Sequence, residues 1–306
     1  MRKKPTPRSP SAHGPLVTGQ KQIVGVIGLG AMGGAMSANL VKAGVEVRGF
    51  DIAAGQRAAL RRAGGKPVSS IAGLKAPVII TSLPSAAALH AVANALKGRC
   101  IVVETSTLPI EDKEKARDAL KRKGITLLDC PLSGTGAQAK TKDLVVFASG
   151  DKSGFERAKT IFPGFSRSHY YLGAFGNGSR MKFVANLLVA IHNVSAAEAF
   201  VLGMKAGLPA KTIFEVIENS AGTSRMFQVR GPQMVKGRYD GPGIAVGLFQ
   251  KDMKIIGEFA ARIGAPTSLF NASAAIYNAA MAQGHAQHDT AAVCAVLESM
   301  AKLRRR

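Results

Sequence analysis

A glycine-rich run near the start of the sequence has the spacing of a turn that lets a ligand approach the backbone. Gly28, Gly30 and Gly33 form the pattern G-x-G-x-x-G directly after the apolar run IVGVI. In this pattern the first glycine allows a tight turn, the second admits a pyrophosphate, and the third lets the following helix pack closely on the strand. The N-terminal N–H groups of that helix attract phosphate. The run therefore predicts a dinucleotide site, and a plain glycine turn without a ligand is the alternative.

An aspartate at the end of the next predicted strand bears on the type of dinucleotide. Asp51 follows Gly28 by 23 residues, close to the spacing of this fingerprint. Its carboxylate can accept hydrogen bonds from both ribose hydroxyls and would repel a 2′-phosphate. Arg57 lies close enough in sequence to soften that preference. We expect NAD as the cofactor, with NADP less favoured.

A lysine and an asparagine share one face of a long apolar segment. Lys182 and Asn186 are four residues apart, which places both on the same side of a helix. An amine in apolar surroundings has a lowered pKa, and a lowered pKa suits proton transfer near neutrality. A lysine on a helix is more often a solvated cation, so the residues alone leave both interpretations open.

A short polar segment could bind an anion. In Ser133-Gly134-Thr135, successive backbone N–H groups and hydroxyls could form a concave anion site, or Ser133 could simply cap a helix. Cys130 beside it is interpreted as a small buried thiol. His285, His288 and Asp289 could suggest a metal, but Asp289 is better explained as a helix N-cap, and no metal is expected.

Alternating strands and helices position these residues. Continuous apolar runs separated by helical segments indicate a doubly wound α/β fold with a parallel sheet, and after about residue 178 only helices follow. We expect a disordered basic tail over 1–20, a nucleotide-binding domain over 21–178 and a helical domain over 179–306. The predicted strands are QIVGVI, VEVRGF, APVIITS, RCIVVET, GITLLD and DLVVFAS. The predicted helices cover 33–43, 54–63, 86–96, 110–123, 152–161, 179–206, 210–220, 247–263, 267–283 and 290–303.

Composition and charge limit the class of protein. A chain of 306 residues fits about two domains, and its three cysteines exclude a disulfide framework and suit a reducing, cytoplasmic compartment. The net charge of +22 attracts phosphate-bearing cofactors, carboxylates and nucleic acid alike. No apolar run suits a signal peptide or a membrane span, and the region 183–208 is interpreted as a buried helix.

Four segments together resemble the β-hydroxyacid dehydrogenases, the family of 3-hydroxyisobutyrate dehydrogenase and tartronate semialdehyde reductase. The segments are GLGAMGGAMSANL at 28–40, DCPLSGTGAQA at 129–139, GNGSRMKFVANLL at 176–188 and KDM at 251–253. The resemblance implies a Rossmann domain, a helical domain that often mediates dimerisation, and NAD(P)-linked oxidation of a short β-hydroxy acid. It also implies a homodimer or homotetramer with a small carboxylate substrate.

The resemblance assigns roles residue by residue. It implies that Lys182 is the catalytic general acid and base, that Asn186 helps to hold the substrate and this lysine, and that Lys251 approaches both cofactor and substrate. The substrate carboxylate would lie on Ser133, Gly134 and Thr135, and the cofactor on the residues Gly28, Leu29, Gly30, Ala31, Met32, Gly33, Asp51, Leu83, Pro84 and Thr107. Thr135 stands where the family usually has glycine, and Lys142-Asp143 stands where it usually has Gly-Thr. Both departures concern the substrate rather than the reaction.

Two other functions stay open on the sequence alone. The basic termini favour a catalytically weak, nucleic-acid-binding member of the fold, although no reader motif is present and nucleic acid is not the expected partner. An imine reductase shares the architecture but typically lacks a lysine at the position of Lys182. The hydroxy acid itself is not determined, and Arg225 and Phe227 are candidates for the lining that selects it.

Overall fold

The computed structural model describes residues 22–241 and 243–305, which form two units. The first unit holds the described residues up to Ser106 together with Ile110–Gly134 and Gln138–Gly178. The second unit holds Thr107–Pro109, Thr135–Ala137 and the described residues from Ser179 onward. The predicted tail at 1–20 lies outside the described residues.

A six-stranded parallel sheet organises the first unit. Its strand order is β3-β2-β1-β4-β5-β6, the order of a dinucleotide-binding Rossmann sheet. The strands are β1 Ile23–Ile27, β2 Glu46–Phe50, β3 Lys66–Pro67, β4 Val78–Thr81, β5 Ile101–Glu104 and β6 Thr126–Asp129. All four residues of β4 and of β5 are buried, because helices cover both faces of the sheet. The predicted α/β class with a parallel sheet is confirmed.

A second, smaller sheet corrects one expectation. The run DLVVFAS does form a strand, but it pairs outside the parallel sheet. The three-stranded sheet has the order β7-β8-β9, with β7 antiparallel to β8 and β8 parallel to β9. Its strands are β7 Leu132–Ser133, β8 Val145–Ala148 and β9 Ser168–Tyr171. Pro131 directly precedes β7, and a proline removes a backbone donor from a ladder. The separate sheet gives Ser133 a fixed place at a strand end.

Twelve α-helices lie in the described residues. Those before residue 160 are α1 Ala31–Lys42, α2 Ala54–Arg62, α3 Ala86–Ala95, α4 Ile110–Lys121, α5 Gly136–Lys140 and α6 Lys152–Ala158. Those that follow are α7 Asn177–Lys205, α8 Ala210–Ile217, α9 Arg225–Lys236, α10 Val246–Arg262, α11 Ser268–Ala282 and α12 Val293–Met300. Short 3-10 turns at Ile71–Gly73, Lys159–Gly164 and Thr290–Ala292 complete the helical elements.

Helix α9 was not predicted, and its place changes the interpretation of two residues. Phe227 is 2% exposed and stacks on Phe200 of α7 and Phe214 of α8, with ring centroids 5.3 and 5.7 Å apart. Phe227 is therefore a core residue rather than part of a substrate lining, and Arg225 occupies the first position of α9. A Cβ on Gly231 would lie 2.5 Å from the Phe214 ring, so glycine here permits close helix packing.

The C-terminal arginines are not equivalent. Arg305 donates to the carbonyls of Met234 and Val235 at 2.6 and 2.9 Å, at the end of α9. It also forms an ion pair with Glu298 at 2.5 Å. Carbonyls at a helix C-terminus have no partner within the helix and attract cations. Arg305 therefore caps α9, a role that its position in a basic run does not reveal.

Helix α7 is the one described helix that is long and apolar enough to cross a membrane by length and composition. Core helices of globular proteins pass the same test, and a third of the apolar window is buried here. The buried residues include Lys182, Asn186 and Asn193. On its other side Met181, Leu188 and Leu202 are exposed and are separated by multiples of seven residues.

Candidate active site

The glycine turn after β1 leaves room for a ligand at one position only. Gly28 has φ +85°, and a Cβ there would lie 2.1 Å from the Ser82 carbonyl oxygen. A Cβ on Gly33 would lie 1.9 Å from the Gly28 carbonyl oxygen. A Cβ on Gly30, in contrast, would meet nothing within 4 Å. The fold of the chain therefore requires glycine at positions 28 and 33, whereas the absence of a side chain at Gly30 leaves space for a ligand.

The start of α1 is open to an anion. Gly30 is the N-cap and provides no side-chain hydrogen bond, and the first turn contains no acidic residue. Ala31 is exposed, Met32 is half-buried, and Leu29 is 2% exposed. The side chain of Leu29 thus belongs to the core, and only its backbone faces the turn. These features are those of a helix N-terminus that binds phosphate.

Asp51 lies directly against the turn. Its Oδ2 accepts the Leu29 N–H at 2.7 Å, and its Oδ1 accepts the Ala53 N–H at 2.8 Å. Arg57 donates to the Asp51 and Ile52 carbonyls at 2.5 and 3.0 Å, so its guanidinium is held at the end of β2. Ile52 is 89% exposed. Sequence reasoning missed this exposed residue, although its position directly after the aspartate of the predicted dinucleotide fingerprint could have drawn attention to it.

The loops after β4 and β5 meet through Ser106. Its Oγ accepts the Leu83 N–H at 2.8 Å, and Pro84 beside it is exposed. Thr107 follows Ser106 and belongs to the second unit, where its carbonyl accepts a 2.9 Å hydrogen bond from Lys251 Nζ. The structure thus brings Thr107 together with Lys251, and Leu83 together with Ser106, which was not among the predicted site residues.

The segment after β6 contains the residues predicted to bind the substrate carboxylate, and its backbone conformation depends on Gly134. Gly134 has φ +134°, and a Cβ there would lie 2.6 Å from the Leu144 side chain. Thr135 has no positive φ, so the threonine at a glycine position of the family is unstrained. The strain falls instead on Lys142, which has φ +61° at the other departure from the family pattern. Cys130 is fully buried, and burial raises the pKa of its thiol well above the usual value.

The second unit gathers the two predicted lysines around one carboxylate. Asn186 is 4% exposed and donates to Asp252 Oδ2 at 2.8 Å. Lys251 Nζ lies 3.7 Å from Asp252 Oδ1. Lys182 is 7% exposed, and within residues 22–241 and 243–305 its ammonium has no hydrogen bond or ion pair. An amine this buried without a partner is unusual for a structural lysine.

Burial in this cluster brings the pKa of Lys182 close to neutral pH. Burial is the main cause that lowers the pKa of Lys182 to about 8, and the positive charge of Lys251 adds to that lowering. Asp252 acts in the opposite direction. Burial also raises the pKa of Asp252 above its usual range, although both lysines oppose that rise. The arrangement can therefore hold or release a proton at Lys182 Nζ near neutral pH.

The other polar clusters have structural explanations. Asp289 accepts the Ala291 N–H at 2.9 Å and caps the 3-10 turn, as expected. His285 and His288 have their Nδ1 atoms 2.8 Å apart. Across the described part of the chain, no group of three or more histidines, cysteines and acidic residues could hold a metal ion.

Two protein-family models match the chain, one after the other along the sequence. Residues 23–173 match the family model described as the NAD-binding domain of 6-phosphogluconate dehydrogenase. Residues 176–297 match the model described as the NAD-binding domain of NADP-dependent 3-hydroxyisobutyrate dehydrogenase. The two matches cover almost all of the described chain.

Individual relatives are similar over nearly their full length. L-threonate dehydrogenase of Cupriavidus necator is 32% identical over 280 residues, which cover 88% of this chain and 94% of that protein. 2-(Hydroxymethyl)glutarate dehydrogenase of Eubacterium barkeri is 30% identical, with 90% and 95% covered. The structure of Mycobacterium tuberculosis 3-hydroxyisobutyrate dehydrogenase with L-serine is 30% identical, with a TM-score of 0.81 and 91% and 99% covered. A Streptomyces aurantiacus imine reductase, 21% identical with a TM-score of 0.58, shares the fold alone.

Proposed function

The chain belongs to the β-hydroxyacid dehydrogenase family and is an NAD(P)-dependent hydroxyacid dehydrogenase, and we propose that Lys182 is its general acid and base. We further propose that the substrate is a short β-hydroxy acid of the size of 3-hydroxyisobutyrate or glycerate, which is interconverted with its aldehyde or keto acid. The observation that carries the proposal is the buried amine of Lys182, which has no hydrogen bond or ion pair among the described residues. This burial lowers its pKa to about 8.

The cofactor proposed for the first unit is NAD. The space at Gly30 and the uncapped start of α1 fit a pyrophosphate, and Leu29, Ala31 and Met32 would flank it. Asp51 would accept the ribose hydroxyls in place of the backbone N–H groups that it now binds, and Ile52 would lie against the adenine. Arg57 is the residue that would admit some NADP, since its guanidinium lies at the same strand end. The bound nicotinamide supplies hydride transfer.

Proton transfer is the part of the reaction that the protein's own side chains must carry out. In oxidation the neutral amine of Lys182 would take the hydroxyl proton of the substrate, and in reduction the ammonium would return it. Asn186, held by Asp252, would donate its remaining amide hydrogen to the substrate. Lys251, held by the Thr107 carbonyl, would keep a second positive charge near the acid.

The carboxylate of the substrate is assigned to Ser133, Gly134 and Thr135. Gly134 adopts a backbone conformation that L-residues avoid, and successive backbone N–H groups in a turn can form a concave anion site. A hydroxy acid presents one or two charges to such a site, so only modest salt dependence is expected.

We propose a cytoplasmic homo-oligomer, a dimer or a tetramer. The exposed apolar residues Met181, Leu188 and Leu202 along one side of α7 support association between copies. The absence of a cysteine framework supports a reducing compartment. Nucleic acid is not proposed as a partner, although the net charge of +22 makes it the alternative to test.

The test measures NADH or NADPH formation with a panel of hydroxyisobutyrate, glycerate, hydroxybutyrate, threonate and serine. We expect kcat/KM to be higher with NAD than with NADP and to be measurable for at least one of these acids. Gly30→Ala should weaken cofactor binding at unchanged stability. Gly55→Ala is the matched control, since a Cβ there also meets nothing within 4 Å but lies in α2.

Two results would contradict the proposal. A native preference of tenfold or more for NADP would refute the NAD assignment. Nanomolar, salt-sensitive DNA binding without turnover of any hydroxy acid would favour the nucleic-acid-binding alternative instead.

A further inference from the structure

A fully buried ion network lies at the carboxyl ends of two neighbouring strands of the parallel sheet. Lys113, in the first turns of α4, is 0% exposed. Its Nζ lies 2.7 Å from Glu104 Oε2 and 2.8 Å from Asp129 Oδ1. Glu104 ends β5, Asp129 ends β6, and the two residues are paired in register. Both carboxylates are 0% exposed, so all three charges are shielded from solvent.

Stability alone does not account for this network. Removing three charged groups from water costs a large desolvation free energy, and apolar side chains of similar volume often give an equal or greater stability. Apolar residues such as Val103 and Leu128 already fill the neighbouring strand positions. A buried ion network that packing could replace is best explained by the geometry that it imposes on its hydrogen-bond partners.

The partner that the network holds is Ser106. Lys113 Nζ donates to the Ser106 carbonyl at 2.7 Å, and the Ser106 N–H donates to Glu104 Oε1 at 3.0 Å. The Ser106 Oγ then accepts the Leu83 N–H at 2.8 Å. The N–H, the carbonyl and the Oγ of Ser106 thus each form a hydrogen bond, and the loops after β4 and β5 are joined. In a doubly wound sheet, ligands bind outside the carboxyl ends of the strands.

A second branch runs from Asp129. The Ser149 Oγ lies 3.2 Å from Asp129 Oδ2 and accepts the Gly178 N–H at 2.9 Å. A Cβ on Gly178 would lie 2.7 Å from the Asp129 carbonyl oxygen, so the backbone of the first turn of α7 comes close to the network. All of these residues belong to the first unit.

We propose that Lys113, with Glu104 and Asp129, positions the cofactor-binding loop at Leu83 and Pro84 through Ser106. The proposal rests on the proposed function, because it assumes that this loop contacts NAD. Lys113 is a positioning residue rather than a catalytic one, since it is sealed from solvent and acts through the Ser106 backbone.

The experiment compares NADH dissociation constants, measured by fluorescence titration without substrate. The test protein is the triple variant Lys113→Met, Glu104→Gln, Asp129→Asn, which removes the three charges together. Its matched control is Arg230→Met with Asp289→Asn, which neutralises a buried ion pair of the second unit with Nε and Oδ1 3.2 Å apart.

We expect the triple variant to bind NADH about tenfold more weakly, equivalent to about 1.4 kcal/mol. The KM for the cofactor should rise while kcat at saturating cofactor changes by less than about threefold. The control should keep its NADH affinity, whatever its change in stability.

A double-mutant cycle with Ser106→Ala tests whether the ion network acts on the cofactor-binding loop through Ser106. Ser106→Ala should weaken NADH binding about tenfold in the native background and less than about twofold in the triple variant. Additive effects, or native affinity in the triple variant, would overturn the proposal. Ser106→Ala leaves the buried charges in place, so unchanged NADH affinity in this variant overturns the proposal even if the triple variant does not fold. A wild-type protein that binds no NADH would refute the proposed function and this inference together.

Discussion

The charges around Lys182 predict opposite shifts of one pH profile. Asp252 raises the pKa of Lys182, whereas Lys251 lowers it, and burial lowers it most. Asp252→Asn should therefore lower the pKa of Lys182 below about 8, and Lys251→Met should raise it. Asparagine at position 252 keeps an oxygen for the Asn186 amide, so the first variant changes charge more than shape.

The magnitude follows from the native value. With a pKa of about 8 instead of 10.5, roughly one tenth of Lys182 is neutral at pH 7, about 300-fold more than for an ordinary lysine. Asp252 is the second-largest influence on the pKa of Lys182 after burial, so its removal should lower the midpoint of the profile by on the order of one unit. The shift for Lys251→Met should be smaller, because this side chain is 35% exposed and its charge is partly screened.

The assay is kcat for alcohol oxidation from pH 6 to 10 at saturating cofactor and substrate. The rate should rise with pH and level off above the pKa, because only the neutral amine accepts the proton. Lys254→Met is the matched control: it removes a positive charge from the same helix, at a side chain that is 77% exposed, and should leave the midpoint unchanged. Midpoints that move in the same direction in Asp252→Asn and Lys251→Met, or do not move, would refute the electrostatic account.

Three further predictions concern stability. Lys182→Met should raise the free energy of unfolding at pH 7 by up to about 3 kcal/mol, because the folded state disfavours the protonated amine. This gain should shrink between pH 8 and 10.5, because the wild-type protein becomes more stable as the pH rises through that range. A gain that stays constant with pH would contradict the assigned pKa. Lys142→Gly should stabilise by about 1 kcal/mol in urea unfolding, since its φ of +61° suits glycine, whereas Lys140→Gly should not stabilise. Arg305→Ala should cost about 2 kcal/mol through the lost cap of α9, while Arg304→Ala should stay within about 0.5 kcal/mol by thermal unfolding.

Local pattern was sufficient for the glycine turn and for five of the six strands of the parallel sheet, but it did not predict the short strand β3. Continuous apolar runs identify strands that are buried on both faces, and the positions of Gly28 and Gly33 follow from backbone clashes that only glycine avoids. The hydrophobic pattern was not sufficient to predict which strands pair with one another. The run DLVVFAS is apolar enough for the main sheet, yet it pairs with β7 and β9, because strand partners depend on how distant segments pack.

The remaining differences come from burial that the sequence does not encode locally. Gly231-Pro232 has the composition of a helix break, but the glycine admits the Phe214 ring and α9 continues. Lys113 follows two acidic residues in the first turn of a helix, which is typical of a solvated end, and only the fold places it against Glu104 and Asp129. The buried setting of Lys182 was predictable because its own apolar neighbours indicate it.

The most direct test of the central claim is kcat for Lys182→Ala and Lys182→Arg beside the wild type, with the NAD dissociation constant measured for each. General acid–base catalysis contributes about 10²–10⁴-fold, so Lys182→Ala should lose that much in kcat while NAD affinity stays within a few-fold. Lys182→Arg should not restore the rate, because a guanidinium cannot release its proton near neutrality. A Lys182→Ala enzyme with kcat within about threefold of wild type would contradict the account.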